Sequence, residues 1–249
     1  MINETFVACE TCHSEGEMEL PMAGSTGSQG PLCCVHCRSV ITIVSVHPWR
    51  PWLEDQVRHK DQLHRSGQLR SRRQARGPEQ SELRIDLDGL EAELAACLLL
   101  CPAFRDAWWV SRGPNRGMDL PRLWTGLPRP VEVKQTRYRD EHRGYLIVRP
   151  PRNTPGPMRT DHIDDSLYVL MHGQDGLYTL VGWADRQLLL ERGRLNPVPV
   201  LWPGQRQCWG VHWSQLYPPQ DLVGLMHDRE HGGDRDGTQD GDGGRGRAA

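Results

Sequence analysis

The sequence predicts an α/β fold for the larger part of this 249-residue chain, with a small cysteine-rich module in front of it. A helical segment is followed by a series of short apolar runs, and this order is typical of an α/β or α+β domain, here over residues 83–217. Five of the eight cysteines fall between Cys9 and Cys37, which indicates a separate metal-binding module at the N-terminal end.

The helix is predicted for Leu87 to Leu100. Acidic residues stand at its start, alanine and leucine fill its body, and Pro102 ends it. Its apolar face is broad, so we expect it to pack in a core.

The strand predictions come from runs of apolar or alternating residues bounded by turn residues. Within the larger domain the predicted strands are Ala107–Val110, Val131–Thr136, Tyr145–Val148, Leu167–Met171, Leu177–Trp183 and, as a further candidate, Trp209–Trp213. A β-branched run at Val40–Val46 predicts one more strand at the end of the cysteine-rich module.

Composition excludes some classes of protein. The formal net charge is −2 and the pI about 6.6, so the chain lacks the basic character of a non-specific nucleic-acid coat. No segment approaches the roughly 20 apolar residues of a membrane span, and no apolar signal segment opens the chain. We therefore expect a soluble protein in a reducing cytoplasm, where clustered cysteines bind metal.

The clustered cysteines form two Cys-x-x-Cys pairs, a spacing that lets each pair present two thiolates to one tetrahedral zinc ion. The predicted ligands are Cys9, Cys12, Cys34 and Cys37. Cys33 or His36 remains an alternative for one ligand of the second pair. A closed shell of four thiolates leaves no open position, so the predicted zinc is structural.

A second group of residues points to phosphate chemistry. In the strand predicted at Val131–Thr136, Glu132 and Lys134 share one face, while the valines between them pack into the core. Asp119, arriving from a neighbouring strand, would complete a pair of carboxylates for Mg²⁺ (or Mn²⁺), which prefers oxygen ligands. The alternative without function is an ordinary exposed ion pair between Glu132 and Lys134.

The pattern Asp119…Glu132-Val-Lys134 resembles the PD-(D/E)XK motif of the restriction-endonuclease-like nuclease superfamily. Of the 30 basic residues only Lys60 and Lys134 are lysine, so a lysine at this position departs from the chain's habit of using arginine. The proline that names the motif is absent before Asp119. By resemblance, the preceding helix supplies a supporting carboxylate, Glu93 in preference to Glu91.

The resemblance implies a restriction-endonuclease-like mixed sheet flanked by helices, and Mg²⁺-dependent hydrolysis of DNA in phage or bacterial DNA processing, repair or recombination. Asp119 and Glu132 would bind the metal, and Lys134 would orient or activate water. DNA is the expected partner, no membrane is expected, and homodimer formation stays open. The alternative is a non-catalytic nucleic-acid-binding protein, in which a zinc ribbon makes the contacts and the second domain is a degenerate nuclease scaffold.

These predictions divide the chain into four segments. The segments are a zinc ribbon at 1–46, a basic linker or exposed helix at 47–82, the nuclease-like domain at 83–217, and a disordered tail at 227–249. The tail is rich in Gly, Asp and Arg and has too little apolar surface to offset the entropy of ordering. For Trp209, Val211 and Trp213, which alternate onto one face, we favour core packing over base stacking.

Overall fold

Nine β-strands and five α-helices make up the part of the chain that the structure describes. The structure is a computed structural model, and it describes residues 4–8, 15–19, 41–66, 82–110, 119–139, 143–149, 158–197, 207–222 and 225. The strands are β1 Glu4–Ala8, β2 Glu15–Glu19, β3 Ile43–Ser45, β4 Val131–Thr136, β5 Tyr145–Val148, β6 Leu167–Gln174, β7 Leu177–Ala184, β8 Arg194–Leu195 and β9 Trp209–His212. The helices are α1 Arg50–Arg65, α2 Glu82–Leu100, α3 Arg105–Val110, α4 Arg122–Thr125 and α5 Arg186–Arg192.

Six strands form one mixed sheet in the order β2-β1-β3-β7-β6-β4. Neighbouring strands are antiparallel except β4 and β6, which are parallel and in register from Val131 opposite Leu167 to Thr136 opposite His172. The mixed α/β class is therefore as predicted. The parallel pair places the beginnings of β4 and β6 at the same end of the sheet.

Helix α2 covers one face of this sheet. It begins at Glu82, earlier than predicted, and ends at Leu100, ahead of Pro102 as expected. Leu94 and Leu98 on α2 are fully buried and belong to the same core cluster as the inward-facing valines of β4. Cys97 and Cys101, four residues apart in sequence, are buried in this core as well.

One strand prediction was wrong. The run Ala107–Val110 belongs to helix α3, which follows directly on a 3-10 turn at Pro102–Phe104. Four apolar residues do not distinguish a buried strand from a buried helical turn, and full burial of Trp108 accounts for the apolar run in either case.

Helix α1 lies in the segment for which a linker or an exposed helix was predicted. Leu53 and Val57, one helical turn apart, are buried and pack in the same core as α2. The helix is therefore attached to the domain by its apolar side, while Arg58 lies on the exposed side.

The N-terminal strands belong to the same sheet as β4. β3, within the predicted strand at 40–46, pairs with β7 from Ile43 opposite Thr179 to Ser45 opposite Leu177. Val44 is fully buried in the main core, so the predicted module at 1–46 shares its sheet and core with the domain at 83–217.

A smaller sheet, in the order β5-β9-β8, lies over the other face of the large sheet. Leu146 and Val211 from this small sheet pack with Tyr168, Leu170 and Leu188 in a second core cluster. Leu188 lies on helix α5. The N-cap residue of this helix, Asp185, accepts a hydrogen bond from the Leu188 amide through its side chain at 2.8 Å.

A tight hairpin joins β6 and β7. Asp175 and Gly176 both have positive φ, 56° and 85°, as a type I′ turn requires. No helix within the described residues is long and apolar enough to cross a membrane. The predicted zinc ligands Cys9, Cys12, Cys34 and Cys37, the alternatives Cys33 and His36, and the tail at 227–249 lie outside the described residues.

Candidate functional site

Strand β4 presents Glu132 and Lys134 side by side, as its alternation predicted. Val131 and Val133 are buried in the core against α2, while the two charged side chains lie on the opposite face. The Lys134 ammonium donates to Glu132 Oε1 at 2.6 Å, and the two side chains are 26% and 28% exposed. This ion pair is half-buried, whereas the alternative without function was an ordinary exposed ion pair.

Asp119 lies beside β4 on the edge away from β6. Leu120 and Val131 exchange two backbone hydrogen bonds of 3.0 and 2.9 Å in an antiparallel bridge. One step along the same edge, Asp119 Oδ2 accepts a hydrogen bond from the Val133 amide at 2.8 Å. The Asp119 carboxylate thus occupies a place where a neighbouring strand would continue the ladder, next to the residue that separates Glu132 from Lys134.

The electrostatic environment of Glu132 disfavours its charge. Burial is the largest cause and raises the pKa of Glu132, and the nearby carboxylates of Asp119 and Asp164 raise it further. Lys134 acts in the opposite direction but does not reverse the shift. Three carboxylates, those of Glu132, Asp119 and Asp164, thus share this partly buried region with one ammonium group, that of Lys134.

Asp164 and Tyr168 were missed at the level of sequence. Tyr168 lies directly beside Glu132 in the parallel register of β4 and β6, and its hydroxyl donates to Asp164 Oδ1 at 2.5 Å. Burial and the Asp164 carboxylate raise the pKa of Tyr168 well above its ordinary value, so the phenol keeps its proton. The pair Asp164-Asp165 just before an apolar strand was the available signal, but its proximity to Glu132 depends on the strand pairing.

The two helix carboxylates have different surroundings. Glu91 is fully buried and accepts hydrogen bonds from the Tyr178 hydroxyl at 2.9 Å and the Gly176 amide at 3.1 Å, with Arg50 Nε at 3.5 Å. These contacts attach α2 to the β6–β7 hairpin. Glu93 is half-buried on α2, which packs on the opposite face of β4, and its role stays a prediction.

The side chains brought together here suit a hard divalent cation. Asp119 and Glu132 are oxygen donors, and Mg²⁺ typically takes one or two carboxylates and completes its shell with water and phosphate. The described residues contain no group of three or more His, Cys, Asp or Glu side chains arranged to hold a metal. Any cation at this position would therefore rest on the carboxylate pair, and it would offset the excess negative charge around Glu132.

The strands that adjoin the cysteine pairs meet at one end of the large sheet. Ala8, the last residue of β1, is paired with Glu15 of β2 and with Ile43 of β3. The chain therefore leaves β1 just before Cys9 at the same sheet end from which it enters β3 after Cys37.

Comparisons with protein-family models, curated proteins and solved structures found no match for this chain.

Proposed function

We propose that this chain is a metal-dependent nuclease that hydrolyses DNA phosphodiester bonds at Asp119, Glu132 and Lys134. The observation that carries the proposal is the edge of β4, where the Asp119 carboxylate accepts a hydrogen bond from a backbone amide beside a half-buried Glu–Lys pair. Burial and the Asp119 and Asp164 carboxylates raise the pKa of Glu132 in that pair. An ordinary surface ion pair needs neither the second carboxylate nor the burial.

The residues have separate roles in this proposal. Asp119 and Glu132 would hold Mg²⁺ or Mn²⁺, and the ion would polarise a phosphate oxygen and supply a nucleophilic water. Lys134 has three donors, so it can keep Glu132 in place with one and contact a phosphate oxygen or the attacking water with another. Tyr168 stays protonated and fixes Asp164 next to Glu132.

The fold supports the same proposal. A helix with acidic residues precedes the two motif segments, and β4 runs parallel to β6. Leu120, the residue after Asp119, is joined to β4 by an antiparallel bridge. We propose that this mixed sheet is a variant of the restriction-endonuclease-like fold.

The decisive experiment compares the two lysines of the chain. Lys60 pairs with Asp86 at 3.2 Å and is 34% exposed, so Lys60→Ala removes the same charge from a similar ion pair outside the site. With plasmid and oligonucleotide DNA in Mg²⁺ or Mn²⁺, we expect Lys134→Ala to reduce cleavage by about 10²–10³-fold and Lys60→Ala to leave it unchanged.

Two results would overturn the proposal. One is DNA binding by the wild-type chain without cleavage in either metal, which would favour the non-catalytic nucleic-acid-binding alternative. The other is equal cleavage by the two lysine variants.

We further propose a structural Zn²⁺ bound by Cys9, Cys12, Cys34 and Cys37, supported by the convergence of their flanking strands at Ala8. Metal analysis should find about one zinc per chain, lost in the single variants Cys9→Ser and Cys37→Ser. Cys208→Ser is the control, because Cys208 is a buried free cysteine far along the chain. Zinc retained in both N-terminal variants would refute this assignment.

A further inference from the structure

The small sheet has an outer face that neither the core nor the candidate site uses. In β5 and β9 the paired residues Leu146 and Val211 face the core. The neighbouring pair, Tyr145 and His212, therefore points the other way, together with Arg194 of β8, which is paired with Gly210.

This outer face borders an open cavity of about 400 Å³. Its polar and aromatic lining consists of Tyr145, Arg192, Arg194, His212, Ser214 and Gln215. None of the described residues that line it is acidic. The cavity is within the size range of ligand-binding sites, and its charge favours an anion.

The two arginines are held in place by neutral groups. Arg192 donates to the Gln215 carbonyl at 3.0 Å, and Arg194 donates to the Tyr145 hydroxyl while its guanidinium lies 5.3 Å from the centre of that ring. Neither guanidinium forms an ion pair with a described residue. Each therefore retains its full charge and further N–H donors, the combination that arginine uses to bind phosphate.

A second cavity, of about 450 Å³, differs in the charges of its lining residues. Its lining includes Arg129 and Arg186, but also Asp165, Asp185 and Glu191. Arg129 lies 3.2 Å from Asp165 and 4.0 Å from Asp185, so its charge is already compensated. Of these two cavities, the one on the small sheet combines arginines with a lining that contains no described carboxylate.

Arginine–aromatic pairs connect this cavity with the end of β4. The Arg139 guanidinium lies 4.9 Å from the Trp213 ring, and that of Arg143 lies 4.1 Å from the Tyr138 ring. The Trp213 amide donates to Gly144 at 3.0 Å, so the segment after β4 is attached to the segment after β9. Two described arginines, Arg139 and Arg143, thus lie between the end of β4 and the strands that border the cavity.

We propose that the outer face of the small sheet binds the phosphate backbone of a DNA strand, with Arg192 and Arg194 contacting phosphates and Arg139 continuing the path towards β4. The assignment of the anion as DNA rests on the proposed function, whereas the anion site rests on the cavity itself. Backbone contacts of this kind position a strand without reading its sequence.

The test measures binding of a fluorescently labelled thymidine oligonucleotide by anisotropy in EDTA, where metal-dependent cleavage cannot occur. The double variant Arg192→Gln/Arg194→Gln should weaken binding at least tenfold. The slope of log K against log salt concentration should fall by about 1.4, since each phosphate contact on single-stranded DNA contributes about 0.7. The matched control is Arg129→Gln/Arg186→Gln, which removes the same charge from the compensated cavity and should bind like wild type.

A second variant tests the same surface while keeping both arginines and their hydrogen bonds, so that misfolding does not explain its effect. Gln215 is exposed and contributes only its carbonyl to the Arg192 contact, so Gln215→Glu adds one negative charge without removing a hydrogen bond. It should also weaken binding. Wild-type affinity and salt slope in both the double arginine variant and Gln215→Glu would overturn the proposal.

Further outcomes separate this proposal from the nuclease proposal. Competition by heparin as strong as that by unlabelled oligonucleotide would assign the face to polyanions in general and overturn the DNA assignment. Wild-type chain that binds in EDTA through these arginines but never cleaves would refute the nuclease and leave this surface in place. A chain that cleaves DNA, but whose DNA affinity does not change when both arginines are replaced, would refute the binding surface alone.

Discussion

Replacement of Glu132 by glutamine should stabilise the metal-free protein and destabilise it relative to wild type when metal is present. Without metal, Glu132→Gln removes a half-buried charge that Asp119 and Asp164 repel, and loses one ion pair with Lys134. The lost pair contributes about 0–1 kcal/mol. The raised pKa of Glu132 shows that the unfavourable contributions are larger, so we expect a net gain of about 1 kcal/mol, or roughly 2–4 °C in Tm.

Metal should reverse this order. An ion that binds only the folded protein stabilises it by about 2.7 kcal/mol at a hundredfold excess over Kd, which corresponds to roughly 5–11 °C for a domain of this size. Wild type should gain this amount, whereas Glu132→Gln, with one carboxylate ligand removed, should gain far less. The two melting temperatures should therefore change order between EDTA and saturating Mg²⁺.

The pH dependence of stability tests independently whether Glu132→Gln stabilises or destabilises the metal-free protein. Because the pKa of Glu132 is raised in the folded state, folding retains a proton that the unfolded chain releases. The contribution of Glu132 to stability is therefore fully present below its ordinary pKa of about 4.3 and is lost as pH rises through the raised value. The advantage of Glu132→Gln in EDTA should be absent near pH 4 and should grow towards neutral pH.

Differential scanning calorimetry or thermal circular dichroism provides the assay. Asp106→Asn is a suitable control, because Asp106 is an exposed carboxylate paired with Arg105 on α3 and should show neither effect. Two results would contradict the site geometry. One is a lower melting temperature for Glu132→Gln than for wild type in EDTA, and the other is an equal rise in melting temperature for both proteins on addition of Mg²⁺.

Three further predictions concern the site, the hairpin and the N-terminal strands. Asp164→Asn should lower the pKa of Glu132, because it removes a repelling charge, and the acidic limb of the pH profile of cleavage should move to lower pH. Gly176→Ala should lower the free energy of unfolding, measured in urea, by at least about 1 kcal/mol, because φ is 85° and an added Cβ would lie 2.7 Å from a neighbouring side-chain atom. Gly89→Ala is the control: Gly89 lies inside α2 with open space around it, so this change should raise the free energy of unfolding by about 0.5–1 kcal/mol. Chelation of zinc should lower the Tm of the whole domain in one transition, because β3 carries Val44 into the main core; two separate transitions would contradict this.

Much of the candidate site was predictable because it lies on one strand. The bounds of β4 match the predicted Val131–Thr136, and the alternation of its side chains places Glu132 and Lys134 on one face. A period of two residues is a local property of extended chain and needs no knowledge of the neighbours. The position of Asp119 beside β4 was also expected, although it is held there by a single bridge and a side-chain hydrogen bond.

The remaining parts of the site depend on pairing between distant segments. Tyr168 and Asp164 reach Glu132 only because β4 and β6 are parallel and in register, and a shift by one residue would turn Tyr168 to the other face. The turn at Asp175-Gly176, with its two positive φ angles, was a readable hairpin signal for β6 and β7. It defines how those two strands connect but leaves open which strands lie beside them.

The sequence by itself determined the local structure: the helix ending before Pro102, most of the strands and the Glu–Lys pair on β4. Tertiary structure alone decided that β1 and β3 join the main sheet, that Arg192 and Arg194 converge on one cavity, and that Asp164 raises the pKa of Glu132. The physical reason is the separation along the chain over which each interaction acts. Periodicity and capping act between residues a few positions apart, whereas sheet order and electrostatic environment arise from burial of apolar faces that only the folded chain brings together.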